Sequence, residues 1–327
     1  KYYIMKKEIG GYFELESLIN NPWYQTDIKL NSGRAALLLL IKEKNIKKIH
    51  LPYFLCDSVK NYLNKEEKNI QISYYHIDDN FLPKIKSENL DKSYLYIVNY
   101  YGLIPNKIIL QYKKKYNNII IDNTQAFFQP PLIKVPTIYS CRKYFGVPDG
   151  AYLFHEKINI DHLQRIKITN SLAPLTARTE ECASKYYQEH VNNENKFENI
   201  PIQYMSLFSE NILGAINYNY VIEKRNSNFS YLNKRLSQFN KLKVLEKIIP
   251  NAPFAYPLLV ENAVSLKQIL IKNKIYIPTL WQNVIDECAK SSIEYNYAKN
   301  ILPLPCDQRY DINDMKLIVD IIIKNKV

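Results

Sequence analysis

The sequence predicts an α/β protein in which helices cover both faces of a mostly parallel sheet, and two observations support this prediction. Short apolar runs that are typical of buried strands alternate with segments of helical periodicity. Several of these runs end in polar residues, proline or glycine, as strands do where they enter loops. Because such an alternation favours parallel strands with crossover helices, active residues should gather at the carboxyl ends of the strands. The strand-like runs are 48–51, 70–75, 94–98, 118–121, 137–139 and 151–154.

Two segments between these runs have a clear helical period. Residues 33–44 and 106–116 are predicted to form amphipathic helices that pack against the sheet. The polar stretch 190–199 has no such period and is predicted to be an exposed, mobile loop.

The second part of the chain is predicted to form a smaller domain. A long helical region in two pieces is expected over 206–239, followed by a strand at 254–260 and a final helix for which Asp311 is the N-cap. The sequence therefore divides into a large α/β domain at 1–205 and connecting helices with a small α+β domain at 206–327.

Composition argues against several classes of protein. The chain of 327 residues carries a formal charge of +12, but its lysines are dispersed, with no basic stripe interleaved with aromatic residues that would indicate nucleic-acid binding. Five cysteines, odd in number and widely separated, argue against a disulfide framework or structural zinc and favour a reducing cytoplasm. The longest aliphatic run, 35–41, is far too short for a membrane span. We therefore expect a soluble cytoplasmic protein that holds no metal and binds neither nucleic acid nor membrane.

An acid and a lysine carry the strongest chemical signal. Asp122 closes the apolar run 118–121, and Lys143 stands shortly before a Pro-Asp-Gly turn at 148–150. A carboxylate beside the ring nitrogen keeps pyridoxal phosphate (PLP) protonated there, which makes this cofactor an electron sink. A lysine amine can hold the cofactor as a Schiff base and later carry the proton. The pair indicates a PLP enzyme, although either residue alone is more often a turn residue or a surface charge.

A small polar turn upstream supplies the third part that a PLP site needs. Ser32, Gly33 and Arg34 open a helix whose next residues, 35–41, are apolar, so its N-terminus should be anchored against the sheet. Free backbone N–H groups and the positive end of the helix dipole can then bind a phosphate. The alternative is an ordinary serine N-cap without a ligand.

In this order of phosphate turn, acid and lysine, the sequence resembles the DegT/DnrJ/StrS-type PLP-dependent sugar aminotransferases, which have the aspartate aminotransferase-like fold type I. The resemblance implies a large PLP-binding domain with a mostly parallel sheet of the seven-stranded type and a smaller α+β C-terminal domain. It also implies a homodimer with shared active sites. The similar segments are 10–14, 30–37, 51–56, 98–102, 122–125 and 302–310.

The resemblance assigns roles to individual residues. Lys143 and Asp122 are implied as the catalytic residues, and both would contact the cofactor. Gln125 is implied to lie over the cofactor ring or near its phenolic oxygen. The turn at 32–34 is implied to hold the phosphate, as the helix argument predicts independently.

Two departures from the family pattern change what is expected around the cofactor. Ser140 stands only three positions before Lys143, so a short deletion is implied, and Arg142 is an alternative partner for the phosphate. Cys56 occupies the place of an aromatic residue that stacks on the cofactor, and it is otherwise interpreted as a small buried hydrophobe. The aromatic residues expected to cover that face instead are Tyr53, Tyr100 and Tyr101.

The reaction implied by the resemblance transfers an amino group from an amino acid, with glutamate expected, to a keto-sugar that is expected to be nucleotide-linked. Such reactions serve amino-sugar or surface-polysaccharide biosynthesis. A PLP-dependent sugar dehydratase is the first alternative, although that branch of the family replaces the lysine, usually by histidine. A non-catalytic binding or regulatory member of the fold is the second. The loop from 190, Arg225 and Asn226 are candidates to reach the active site of a partner subunit.

Overall fold

The computed structural model describes residues 9–85, 92–156 and 158–325, and its centre is an eight-stranded sheet. Its strands are β1 (Lys29–Leu30), β2 (Lys48–Pro52), β3 (Gln71–Ile77), β4 (Pro83–Lys84), β5 (Tyr94–Val98), β6 (Ile119–Asp122), β7 (Thr137–Ser140) and β8 (Ala151–Phe154). In space they follow the order β1-β8-β7-β6-β5-β2-β3-β4. The strands from β7 to β3 pair in parallel, whereas β8, β1 and β4 pair antiparallel at the edges. The predicted mostly parallel sheet is confirmed, and the two-residue strands β1 and β4 extend it beyond seven strands.

The helices pack around this sheet. In the described part of the chain they are α1 (Gly33–Glu43), α2 (Asp57–Glu66), α3 (Asn106–Lys115), α4 (Ala173–Glu180), α5 (Tyr187–Lys196), α6 (Leu207–Gly214), α7 (Tyr218–Leu236), α8 (Ala263–Lys272), α9 (Gln282–Glu287), α10 (Ile293–Asn300) and α11 (Ile312–Asn325). Every residue from 35 to 41 of α1 is buried, and this helix packs against β7 and β8. Burial on all sides fixes the position of its N-terminus at the carboxyl edge of the sheet. Among the described helices, none combines the length and apolar character needed to cross a lipid bilayer.

The C-terminal part contains a second sheet. Strands β9 (Tyr256–Leu259) and β10 (Ile301–Leu304) pair antiparallel, and α11 packs against both α7 and α8. The predicted N-cap is confirmed, because the Asp311 carboxylate accepts hydrogen bonds from the N–H groups of Asn313 and Asp314. One large hydrophobic cluster runs from α1 through the central sheet to α11, so the division at residue 205 stays a prediction.

The predicted loop at 190–199 is wrong over most of its length, because α5 covers Tyr187–Lys196. None of the helix residues is buried, and the helix has no apolar stripe that hydrophobic periodicity could detect. Contacts near its C-terminus hold it instead. Glu194 pairs with Arg142, and Phe197, directly after the helix, is only 5% exposed.

Candidate active site

Three segments that are distant in sequence meet at the carboxyl edge of the sheet. The Lys143 amine donates a hydrogen bond to Oγ1 of Thr124 at 3.1 Å, and Thr124 follows Asp122 at the end of β6. The first turn of α1 lies beside the same threonine, since a Cβ added to Gly33 would be 3.4 Å from the Thr124 methyl group. The predicted phosphate turn, acid and lysine are therefore brought together around Thr124, a residue that the sequence had not singled out.

The loop that carries Lys143 is anchored by the turn that follows it. Asp149 is fully buried and accepts hydrogen bonds from the N–H and the hydroxyl of Ser206, at 2.8 and 2.5 Å. The N–H of Gly150 donates to the carbonyl of Asn31 at 3.0 Å, and its φ of +126° is a conformation that favours glycine. The Pro-Asp-Gly turn thus ties the lysine loop directly to Asn31, the residue before the N-cap of α1.

Asp122 is 5% exposed, and both of its carboxylate oxygens accept hydrogen bonds. The Tyr96 hydroxyl donates to Oδ2 at 2.7 Å, and the N–H of Thr124 donates to Oδ1 at 2.8 Å. Sequence analysis missed Tyr96. Strand alternation could have identified it. Tyr96 on β5 pairs with Ile120 on β6, and Ile120 and Asp122 are two residues apart on one strand, so the side chains of all three lie on the same face of the sheet.

Three cationic side chains crowd this site. Burial lowers the pKa of the Lys143 amine, and the positive charges of Arg142 and Arg34 lower it further, while Asp122 and Cys56 oppose this shift. The Lys143 side chain is solvent-exposed even though many protein atoms surround its amine. The amine therefore lies in a crevice that is open to solvent on one side. Burial lowers the pKa of Arg142 to about 10, with a smaller contribution from the positive charge of Arg34. Burial also lowers the pKa of Arg34. Because all three shifts disfavour the charged forms, a bound anion would stabilise the cluster.

Arg142 already has an internal counter-ion. Its guanidinium pairs with the Glu194 carboxylate of α5 and lies over the Phe197 ring, 4.3 Å from the ring centroid. Helix α5 therefore covers the cationic cluster on one side. Ser140 is the last residue of β7, opposite Ala151 of β8, and is half-buried.

Gln125 connects the Asp122 loop to two tyrosines. Its side chain is 3% exposed, and its Oε1 accepts a hydrogen bond from the backbone N–H of Tyr101 at 2.9 Å. Its backbone carbonyl accepts a hydrogen bond from the hydroxyl of Tyr144, the residue after Lys143, at 2.8 Å. A position over the cofactor ring stays a prediction for this residue.

Cys56 lies beside the site as the N-cap residue of α2. It is half-buried, its Sγ is 3.0 Å from the Ser58 hydroxyl, and it is close enough to Lys143 to affect the pKa of the amine. It also lines a small cavity of about 100 Å³ together with Tyr53 and Lys60. The interpretation of Cys56 as a small buried hydrophobe is therefore wrong, because its thiol is partly accessible at the rim of the crevice.

The three tyrosines proposed to cover the cofactor differ in position. Tyr100 and Tyr101 are each 1% exposed and pack among core aromatic side chains that include Phe81 and Trp281. Tyr53 is 41% exposed and stacks on Tyr74 with ring centroids 5.2 Å apart. Tyr53 is therefore the one of the three whose ring is accessible.

Arg225 and Asn226, the candidates for contact with a partner subunit, are engaged within this chain. Arg225 is 1% exposed, donates to the carbonyl of Tyr144 at 3.2 Å, and lies over the Tyr144 ring at 4.4 Å. Asn226 bonds to Asn251 and Ala252. The expectation for Arg225 is wrong, because a fully buried guanidinium that supports the lysine loop cannot also reach another subunit.

A larger cavity of about 410 Å³ lies away from these residues. Asp79, Lys241, Glu261 and Tyr297 contribute to its lining, and the predicted site residues do not. Size alone would favour this cavity, but the convergence of acid, lysine and arginines favours the crevice at Lys143.

Solved structures share this fold, whereas no protein-family model and no curated protein sequence matches the chain. DesV of S. venezuelae, in complex with a ketimine intermediate, is 13% identical, with a TM-score of 0.63 over 92% of this chain and 85% of that one. A DegT/DnrJ/EryC1/StrS aminotransferase from Brucella abortus is 15% identical, with a TM-score of 0.58 over 91% and 85%. The GDP-4-keto-6-deoxy-D-mannose-3-dehydratase of E. coli, with bound hydrated PLP, is 13% identical, with a TM-score of 0.59 over 90% and 86%. The chain thus has the fold of PLP-dependent sugar aminotransferases, fold type I, and the fold predicted from its sequence is confirmed.

Proposed function

We propose that this chain is a PLP-dependent aminotransferase that transfers an amino group from an amino acid, glutamate in our proposal, to a nucleotide-linked keto-sugar. The observation that carries the proposal is the convergence of Lys143, Asp122 and the start of α1 around Thr124. The shared fold supports it. We further propose that the protein acts as a homodimer in amino-sugar or surface-polysaccharide biosynthesis.

The residues of the crevice fit the cofactor. When bound, PLP supplies an aldehyde carbon that takes up the amino group and a ring that withdraws electrons. The lowered pKa of Lys143 increases the fraction of neutral amine, which can act as a nucleophile and carry a proton at Nζ. The Asp122 carboxylate would stabilise a proton on the ring nitrogen, and Arg34, Arg142 and the backbone N–H groups at the start of α1 would hold the phosphate.

The lysine distinguishes this proposal from its alternatives. In the dehydratase branch of the resembling family a histidine usually replaces it, so Lys143 favours amino transfer over dehydration. A non-catalytic binding protein would not need a lysine and a buried carboxylate brought together around one threonine.

A visible absorption spectrum of the purified protein tests the proposal. We expect a cofactor band that changes when glutamate is added and returns when a nucleotide-linked keto-sugar is supplied. A protein without a chromophore after incubation with PLP would refute PLP binding. A band that glutamate and other amino acids leave unchanged would refute amino transfer while leaving cofactor binding intact.

Substitution of Gly33 separates a phosphate site from a simple helix cap. A Cβ at Gly33 would be 3.4 Å from Thr124 and 3.6 Å from Ile138, which is ordinary contact, so Gly33→Ala should leave the melting temperature of the apo protein nearly unchanged. We expect the added methyl group to obstruct the approach of phosphate to the backbone and to weaken PLP affinity by about tenfold, with Gly33→Val weakening it further. Fluorescence titration with PLP measures the affinity.

Ser32→Ala measures how much the helix cap contributes to the stability of the apo protein. The Ser32 hydroxyl accepts a hydrogen bond from the N–H of Ala35, so its loss should cost about 1 kcal/mol of apo stability. If Gly33→Val changed affinity and stability by equal amounts, the turn would be a structural cap alone.

Glu194 is expected to compete with the cofactor phosphate for Arg142. Glu194→Gln removes the internal counter-ion from the cationic cluster, so PLP and inorganic phosphate should both bind about tenfold more tightly, as measured by calorimetric titration. Glu189→Gln, an exposed position on the same helix, controls for the change in net charge. Weaker PLP binding in Glu194→Gln would mean that the glutamate holds Arg142 in its binding position instead of competing.

A further inference from the structure

The buried hydroxyl of Tyr96 is an unassigned contact of the proposed catalytic acid. Tyr96 is 3% exposed at the middle of β5, and its hydroxyl donates to Oδ2 of Asp122 at 2.7 Å. The parallel pairing of Val98 with Asp122 fixes this geometry, because it aligns β5 with β6 residue by residue.

Tyr96 acts on the Asp122 carboxylate as a permanent donor. Burial, followed by the negative charge of Asp122, holds the pKa of Tyr96 well above its ordinary value, so the phenol stays protonated. Among the described residues, Lys143, Tyr75 and Tyr100 also couple electrostatically to Asp122, and burial raises the pKa values of both tyrosines.

The two hydrogen bonds on Asp122 also fix its orientation. Tyr96 holds Oδ2 and the N–H of Thr124 holds Oδ1, so the carboxylate cannot rotate without breaking one of them. Each oxygen keeps a further lone pair for another donor. The two hydrogen bonds thus fix the plane of the carboxylate. Its oxygens can still accept a hydrogen bond from a protonated ring nitrogen.

We propose that Tyr96 is a positioning residue that holds the Asp122 carboxylate in the orientation in which it can accept the proton-bearing ring nitrogen of the cofactor. This inference rests on the proposed function of the site. Without the hydroxyl, the Asp122 carboxylate would keep the hydrogen bond from the N–H of Thr124 but could rotate about it, so it would hold a proton on the ring nitrogen less well. A ring that holds this proton less well would withdraw electrons less strongly, and the pH at which the visible absorption of the bound cofactor changes would rise.

The test is Tyr96→Phe, compared with Tyr75→Phe. Tyr75 is an equally buried tyrosine whose hydroxyl donates to the backbone carbonyl of Tyr96 at 2.6 Å and makes no hydrogen bond to Asp122. We expect Tyr96→Phe to raise the pH midpoint of the visible absorption of bound cofactor by at least about half a pH unit and to lower kcat by about tenfold. KM should change little, and the Tyr75→Phe values should stay close to wild type.

A double-mutant cycle shows whether Tyr96 acts through Asp122. In an Asp122→Asn background, Tyr96→Phe should have no further effect on kcat, because the group on which it acts is already gone. Additive effects, or equal pH midpoints in wild type and Tyr96→Phe, would overturn the inference. Failure of the wild-type protein to bind PLP would instead refute the proposed function itself, so the two failures are distinguishable.

Discussion

Borohydride reduction of the PLP-loaded protein is expected to leave the pyridoxyl group on Lys143, where peptide mapping would find it. The Lys143 amine has a lowered pKa, is solvent-accessible, and lies beside Asp122 and the two arginines. We expect Lys143→Ala to abolish this labelling and to reduce turnover at least about a thousandfold, which corresponds to ~4 kcal/mol of barrier. Steady-state kinetics with glutamate and a nucleotide-linked keto-sugar measures the loss.

Lys60→Ala is the control, because Lys60 lines a small cavity together with Cys56. Its amine bonds to both carboxylate oxygens of Glu287 at 2.9 Å, and this contact raises the pKa of Lys60. A lysine held in its charged form is a poor nucleophile. Lys60→Ala should therefore still be labelled at Lys143 and keep the turnover of the wild type. Recovery of the pyridoxyl group on Lys60, or on any lysine other than Lys143, would refute the proposed role of Lys143.

Local sequence signals predicted the parts of the site that depend on regular elements. The apolar run at 35–41 anchored α1, and the run before Asp122 predicted a buried strand with an acid at its carboxyl end. Parallel strands end at the same edge of a sheet, which is why an acid at the end of β6 and a lysine after β7 could be expected to meet. Thr124 joins them, but nothing in its local sequence indicates that it accepts a hydrogen bond from Lys143.

The parts that sequence did not predict depend on contacts between polar side chains far apart in the chain. Glu194 and Arg142 are in contact although 52 positions separate them in the sequence. Helix α5 has no apolar stripe from which it could be predicted. The roles of the tyrosines were equally hidden. With 28 tyrosines in the chain, composition does not distinguish Tyr96 at the acid from Tyr100 in the aromatic core.

Replacement of Asp122 by asparagine is expected to preserve the fold and to lower turnover at least about a hundredfold, or ~2.7 kcal/mol of barrier. The structure shows how asparagine can be accommodated: Oδ1 can still accept the N–H of Thr124, and the new NH₂ group can donate to the hydroxyl oxygen of Tyr96. The variant should therefore melt close to wild type and still bind PLP. What it loses is the negative charge that keeps a proton on the ring nitrogen.

The same change at a buried acid elsewhere separates this electrostatic effect from a general loss of stability. Asp307 is 9% exposed and pairs with Arg309 at 2.7 Å in the C-terminal part of the chain. Asp307→Asn should lower the melting temperature while the folded protein keeps its turnover, which is the reverse of the result expected at Asp122.

Turnover of Asp122→Asn within about threefold of wild type, ~0.6 kcal/mol of barrier, would show that the proton on the ring depends on another group. A collapse of the melting temperature in Asp122→Asn would mean that the hydrogen bonds from Tyr96 and Thr124 require a charged acceptor, and the carboxylate would then have a structural role as well.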